Sequence, residues 1–201
     1  MNKLLNPFKY IAGWESLAAG VIVLLITSAI GYFSHIHFPD LISVKTNFGL
    51  PFFVLLAQGV SNWLILSILL YFAAMIFSSS KVRAIDIFGT QALARSPYIF
   101  AALTGFSGAF NKFGNYLMWT ALHTREPVQI TTGEIALAIS LMLITLLLTI
   151  WMVTLMYNAF KVSANLRGAK LILSFIASVI ASIVITGIIS NYLIKSLVTQ
   201  P

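Results

Sequence analysis

Apolar residues dominate the chain in long runs, and polar residues gather into short stretches between them. A helix needs roughly 20 residues to cross a hydrocarbon layer of about 30 Å. Five runs approach or exceed that length: Leu17 to Phe33, Phe52 to Phe77, Gly89 to Phe110, Ile135 to Met156 and Leu171 to Ile194. The pattern predicts an all-α, polytopic membrane bundle of five transmembrane helices, forming one domain over residues 1–201. Ahead of the first run, Asn6 and Pro7 have the order of a helix N-cap and first turn. Phe8, Tyr10, Ile11 and Trp14 then suit an amphipathic segment lying at the interface. The first run is too long for a signal-peptide core and no A-x-A site follows it, so it reads as a span.

Polar residues inside the runs point to buried faces. Gln58, Ser61 and Asn62 fall at i, i+3 and i+4 and share one helix face, where lipid is a poor solvent for two amides. Ser174, Ser178, Ser182, Thr186 and Ser190 repeat every four residues on the last run, which predicts close packing on another helix. Gln58, Asn62, Ser182 and Thr186 form a candidate intramembrane polar cluster. The third run is the least apolar, and Ala101, Gly105 and Ala109 at spacings of four predict that it is enclosed. Gly89 and Thr90 are expected near its start. Pro97 removes the amide that would bond the Leu93 carbonyl, which predicts a bend. The long connection after it suits a short interfacial segment carrying Tyr116, Met118 and Trp119 at headgroup level.

Composition agrees with this reading: 59% of the 201 residues are hydrophobic and 8% charged, with a mean hydropathy of +0.95. The net charge of +7 is spread among apolar runs, which favours anionic lipid headgroups over nucleic acid. Lys3, Lys9, Lys81, Arg83, Arg95, Lys161, Arg167 and Lys170 fall on one side of a five-span layout. Lys45, Lys112, Arg125 and Lys195 fall on the other. The positive-inside rule then places the N-terminus in the cytoplasm and the C-terminus outside. Glu15, Lys81, Arg83, Asp86, Arg95, Lys161, Arg167 and Lys170 are the candidate inner-face interaction residues. Arg95, a short way into its run, is expected to snorkel back toward that face and meet Glu15, directly or through a phosphate or water.

Catalytic and metal chemistry find little footing. There is no cysteine, hence no thiolate chemistry or disulfide. His35, His37 and His123 share a side with Asp40, Glu126 and Glu134, but an H-x-H in a loop without a further spaced ligand reads as interfacial histidines. Gly105, Ser107 and Gly108 resemble a G-x-S-G nucleophile motif, yet no span holds a histidine base, so helix packing is the preferred reading. The chain lacks H-E-x-x-H, a P-loop and G-x-G-x-x-G. The expectation is a non-enzymatic protein without cofactor. Its partners would be membrane lipids, a second copy of itself or other membrane proteins. The alternative is a small-molecule or ion transporter or channel, with Gln58, Asn62, Asp86, Arg95 and the last hydroxyl row lining a polar route, in an oligomer if need be.

Two stretches carry a family resemblance. FGTQALARSP at Phe88 to Pro97 precedes the small-residue third run, and MYNAFKVSANLRGAK at Met156 to Lys170 joins the last two runs. With the five-run layout, these resemble the Yip1 family of small membrane proteins, of the bacterial kind. The resemblance implies a membrane-organising or trafficking scaffold in a bacterial inner membrane. The chain lacks the long cytosolic N-terminal region and the D-L-x-G-P signature of the eukaryotic relatives, which weighs against GTPase binding.

Overall fold

The computed structural model describes residues 5–46, 49–122 and 127–198. A 3-10 turn at Pro7–Lys9 leads into α1 (Gly13–Ser34), and a small hairpin follows, β1 (Ile36–His37) and β2 (Lys45–Thr46). The chain then forms α2 (Phe52–Phe77), α3 (Ala84–Leu93), α4 (Pro97–Leu103), a 3-10 turn at Thr104–Ser107, α5 (Ala109–Leu122), α6 (Thr132–Ser163) and α7 (Gly168–Val198). The fold is all-α. Four helices, α1, α2, α6 and α7, are long and apolar enough to cross a membrane, so the protein is a multi-pass membrane protein. Their outward faces carry exposed Ile22, Phe72, Leu147 and Ile188, side chains suited to lipid tails.

The third predicted run departs from expectation. It is not one helix from Gly89 to Phe110 but the pair α3 and α4, and Gly89 and Thr90 sit inside α3 rather than at its start. Pro97 cannot offer an amide to Leu93, and Ser96 N–H bonds the Leu93 carbonyl instead at 3.1 Å. Arg95 N–H to Ala92 O at 3.3 Å and Tyr98 N–H to Arg95 O at 3.0 Å complete a tight turn that keeps the backbone paired through the bend. This broken helix runs beside α1 in the same direction. A methyl group added at Gly89 would lie 2.8 Å from Leu17 N, one at Gly20 2.6 Å from Leu93 N, and one at Gly105 against the Ser34 carbonyl. The three close approaches occur in chain order along the whole of α1, which spans roughly 33 Å at 1.5 Å per residue.

The remaining helices enclose the pair. Gln91 Nε2 donates to Met156 O of α6 at 3.0 Å, and Trp63 Nε1 of α2 donates to Phe88 O at 2.8 Å. The core joins Leu66 and Leu70 of α2, Ile87 of α3, Tyr98 and Ala101 of α4, and Met152, Met156 and Phe160 of α6. α7 packs chiefly on α2, and its serine and threonine row at 174, 178, 182, 186 and 190 is buried, as the four-residue period predicts. The amphipathic α5 occupies the place of the predicted interfacial segment. It is tied to the start of α6 by Lys112 Nζ on Glu134 Oε1, while Thr131 and Glu134 form a reciprocal capping box. At the other end, the amphipathic turn expected from Phe8 to Trp14 reduces to a 3-10 turn. Phe8 alone of its large apolar residues is buried; Tyr10, Ile11 and Trp14 are exposed.

Candidate functional site

The face carrying the N-terminal segment and the α6–α7 connection bears a groove of about 600 Å³. α6 ends at Ser163, Asn165 takes up a left-handed conformation (φ 50°), and Gly168 (φ 62°) opens α7. Non-glycine residues reach that conformation at a cost, which asparagine bears better than most. The turn is held from α2 by Ser78 Oγ, which donates to Ala164 O at 2.8 Å. The N-terminal segment is held by Asn158 Nδ2 on Leu5 O at 2.9 Å and by the buried ring of Phe8. Lys9 of the N-terminal turn and Lys161 and Arg167 of the α6–α7 turn therefore reach one groove, over an apolar floor that includes Tyr157, Leu166 and Leu171. Cations beside the carbonyl end of α6 are favourably placed, and the amide end of α7 opens onto the same space. Flexible cations over apolar carbon suit a phosphate-bearing headgroup with its first methylenes below.

The predicted inner-face residues separate into groups. Lys161 and Arg167 line the groove, whereas exposed Lys170 does not. Lys81 and Arg83 are exposed on the α2–α3 connection, where Arg83 Nε lies 3.8 Å from Asp86 Oδ2. Such an exposed i,i+3 pair contributes little to stability. Lys9, counted among the inner cations but not among the candidate residues, is the side chain that sequence reasoning passed over. Its place depends on how the N-terminal turn folds back, which the local pattern does not encode.

Arg95 is the largest correction. It does not snorkel and does not meet Glu15: Glu15 is exposed on the first turn of α1, and Arg95 is only 3% exposed at the bend between α3 and α4. Because α3 begins at Ala84 instead of Gly89, Arg95 sits deeper than its run implied, level with the middle of α1. Its guanidinium lies 5.7 Å from the Tyr98 ring, and Nη1 has no hydrogen-bond partner.

On the opposite face, the hairpin after α1 folds into the bundle, with Ile36, His37, Phe38 and Leu41 all buried. Phe38 stacks on Tyr98 at 4.4 Å, and Tyr98 Oη donates to Leu41 O at 3.1 Å. Asn62 Nδ2 donates to both Phe38 O (2.9 Å) and Asp40 O (3.0 Å). Gln58 Nε2 donates to Ser190 Oγ at 2.7 Å, leaving Oε1 to accept from His37 Nδ1 at 3.1 Å. That fixes the Nδ1–H tautomer of a neutral imidazole. Burial holds His37 below its ordinary pKa against the bond from Gln58, and the Lys45 charge adds to the lowering. Thus Gln58 joins α2 to α7 and to the hairpin, and Asn62 anchors the hairpin. Thr186 instead bonds Ser182 O at 2.7 Å, and Ser182 Oγ is buried without a partner. Of the three histidines, His35 is exposed, His37 is engaged with Gln58, and His123, with Arg125, Glu126 and Lys3, lies outside the described residues. No group of three or more potential metal ligands occurs among the described residues. No protein-family model, curated protein or solved structure matches this chain.

Proposed function

We propose that this protein is a non-enzymatic membrane scaffold of Yip1-like type that holds anionic phospholipid headgroups in the groove of Lys9, Lys161 and Arg167. The convergence of Lys9 from the N-terminal turn with Lys161 and Arg167 of the α6–α7 turn on one groove carries the reading. Charge-assisted bonds to a phosphate are stronger than neutral ones, and the anionic cytoplasmic leaflet supplies such groups at high local concentration. The Yip1-like part rests on the two sequence stretches named above. It is supported by their meeting in space: Gln91 of the first bonds Met156 O of the second, and Thr90 Oγ1 lies 3.1 Å from Ser163 Oγ.

In this account α3 and α4 together make a fifth crossing. They accompany α1 from end to end, and α5 follows at the level where α1 ends. The N-terminus and the groove are then cytoplasmic and the C-terminus outside, in a bacterial inner membrane. Single cysteines at Ser163 and Ser107, read with an impermeant thiol reagent on intact cells, test the layout. Labelling at position 107 and protection at 163 support it; the reverse overturns it.

The lipid reading is tested by native mass spectrometry of the purified protein with phosphatidylglycerol or phosphatidylcholine. Preferential retention of phosphatidylglycerol, lost in the Lys9→Gln, Lys161→Gln, Arg167→Gln triple variant, is the expected result. Equal retention of both lipids would overturn it. A transport reading is favoured by one observation, a buried arginine at a break in an enclosed helix. It requires solute flux across proteoliposomes that disappears in Arg95→Gln.

A further inference from the structure

Arg95 stands apart from the groove and raises a separate question: what balances a guanidinium buried in the middle of the bundle. No carboxylate pairs with it among the described residues. Asp40 makes no ion pair with it, and Asp40 Oδ1 is engaged by the amides of Ile42 (3.0 Å) and Ser43 (2.9 Å). The Tyr98 ring offers a cation–π contact but no formal charge. A buried charge left without compensation is strongly unfavourable, in protein or in lipid.

Beside Arg95 lies a small void of about 20 Å³, lined by Leu24, Thr27, Ser28, Phe38, Gly59 and Tyr98 among others. Two of its lining residues, Arg95 and Ser28, can offer donors to a negative guest. Arg95, more than nine-tenths buried and with no partner for its Nη1, lines the void, and Ser28 brings a hydroxyl. The Thr27 proton is committed to Val23 O at 2.8 Å and the Tyr98 proton to Leu41 O at 3.1 Å. The volume admits a group about the size of one water and no more. Polyatomic anions such as phosphate or sulfate are too large, whereas a halide is close to that size and carries the charge that Arg95 lacks.

We propose that the void beside Arg95 is a binding site for a monovalent halide ion, chloride in the cell, which neutralises Arg95 within the bundle. The site is independent of the lipid groove. The hairpin residue Phe38, stacked on Tyr98, lines it, and Asn62 holds Phe38 by its carbonyl.

The test uses the full-length protein in detergent. Crystals or particles prepared in bromide should show an anomalous or difference peak beside the Arg95 guanidinium. Thermal stability should rise saturably with chloride or bromide and stay flat with gluconate at equal ionic strength. Ser28→Ala should raise the half-saturating halide concentration about tenfold or more, the loss expected for one hydrogen bond to an ion. Arg95→Gln, if it folds, should abolish the halide dependence. Identical stability in chloride and gluconate, or bromide density found only away from Arg95, would overturn the proposal. So would a halide dependence that Ser28→Ala leaves unchanged.

Discussion

Asn62 ties the inserted hairpin to the bundle by two hydrogen bonds, and its replacement isolates what that attachment contributes. Asn62→Ala leaves the carbonyls of Phe38 and Asp40 without the amide that now reaches both. Each unsatisfied buried acceptor costs about 1–3 kcal/mol. The native side chain is not free of cost itself, because Asn62 Oδ1 is buried without a partner. A net loss of about 2 kcal/mol is therefore reasonable for the pair. The hairpin lies between α1 and α2 as a separate element, so the loss is expected to appear locally. Amide hydrogen exchange at Ile36 to Leu41 should accelerate about 30-fold, at 1.4 kcal/mol per factor of ten. Exchange in the middle of α6 should not change. Asn62→Asp is the sharper variant, since it keeps the volume and turns a donor toward two carbonyls into an acceptor; it should open the hairpin further. Unchanged exchange at Ile36 to Leu41 in both variants would refute the anchoring role.

Three further outcomes follow from the packing and the charges. Ser182→Leu inserts bulk into the α2–α7 contact, where Ser182 is fully buried, and should cost about 1–3 kcal/mol in detergent unfolding. Ile188→Leu, on the lipid face, should be neutral. Gly20→Val should destabilise more than Gly187→Val, because a side chain at Gly20 meets Ala92 and the Leu93 backbone while Gly187 faces open space; equal melting temperatures would contradict the close approach. His37 gives a pH effect of definite sign. The unfolded imidazole takes up its proton near 6.5 and the folded one only at lower pH. The unfolded chain thus binds more protons below about 6.5, so the His37 contribution is present above that pH and is lost as pH falls. His37→Gln should flatten the decline in melting temperature on acidification.

Much of the fold was legible because lipid enforces simple rules. The second run, Phe52 to Phe77, matches α2 at both ends, since Pro51 starts it and the polar Ser78 to Lys81 stretch stops it. The hydroxyl period on α7 marked its buried face for the same reason, close backbone approach. Pro97 foretold the bend. The start of α3 was missed because Ala84 to Phe88 is amphipathic and reads as a loop beside Lys81 and Arg83. The five-residue error moved Arg95 from the interface into the core. The hairpin was missed because His35 to Thr46 mixes apolar and polar residues in a stretch too short to span a membrane, and so reads as a loop. Its burial depends on Gln58, Asn62 and Tyr98 reaching it from other helices, a long-range fact no local pattern contains. The groove was half legible: Lys161 and Arg167 lie in one turn, but Lys9 joins them only through the Asn158 bond to Leu5 and the docking of Phe8.

The central claim, that anionic headgroups sit in the groove of Lys9, Lys161 and Arg167, is tested most directly by photocrosslinking. A phosphatidylglycerol carrying a photoreactive headgroup would be incorporated with the protein into nanodiscs, and the adducts mapped by peptide mass spectrometry. The account predicts adducts concentrated at Tyr157 to Ile172 and around Lys9, reduced in the triple glutamine variant and competed by unlabelled phosphatidylglycerol. Adducts spread evenly over both faces, or centred on Lys45 and Lys112 instead, would contradict it.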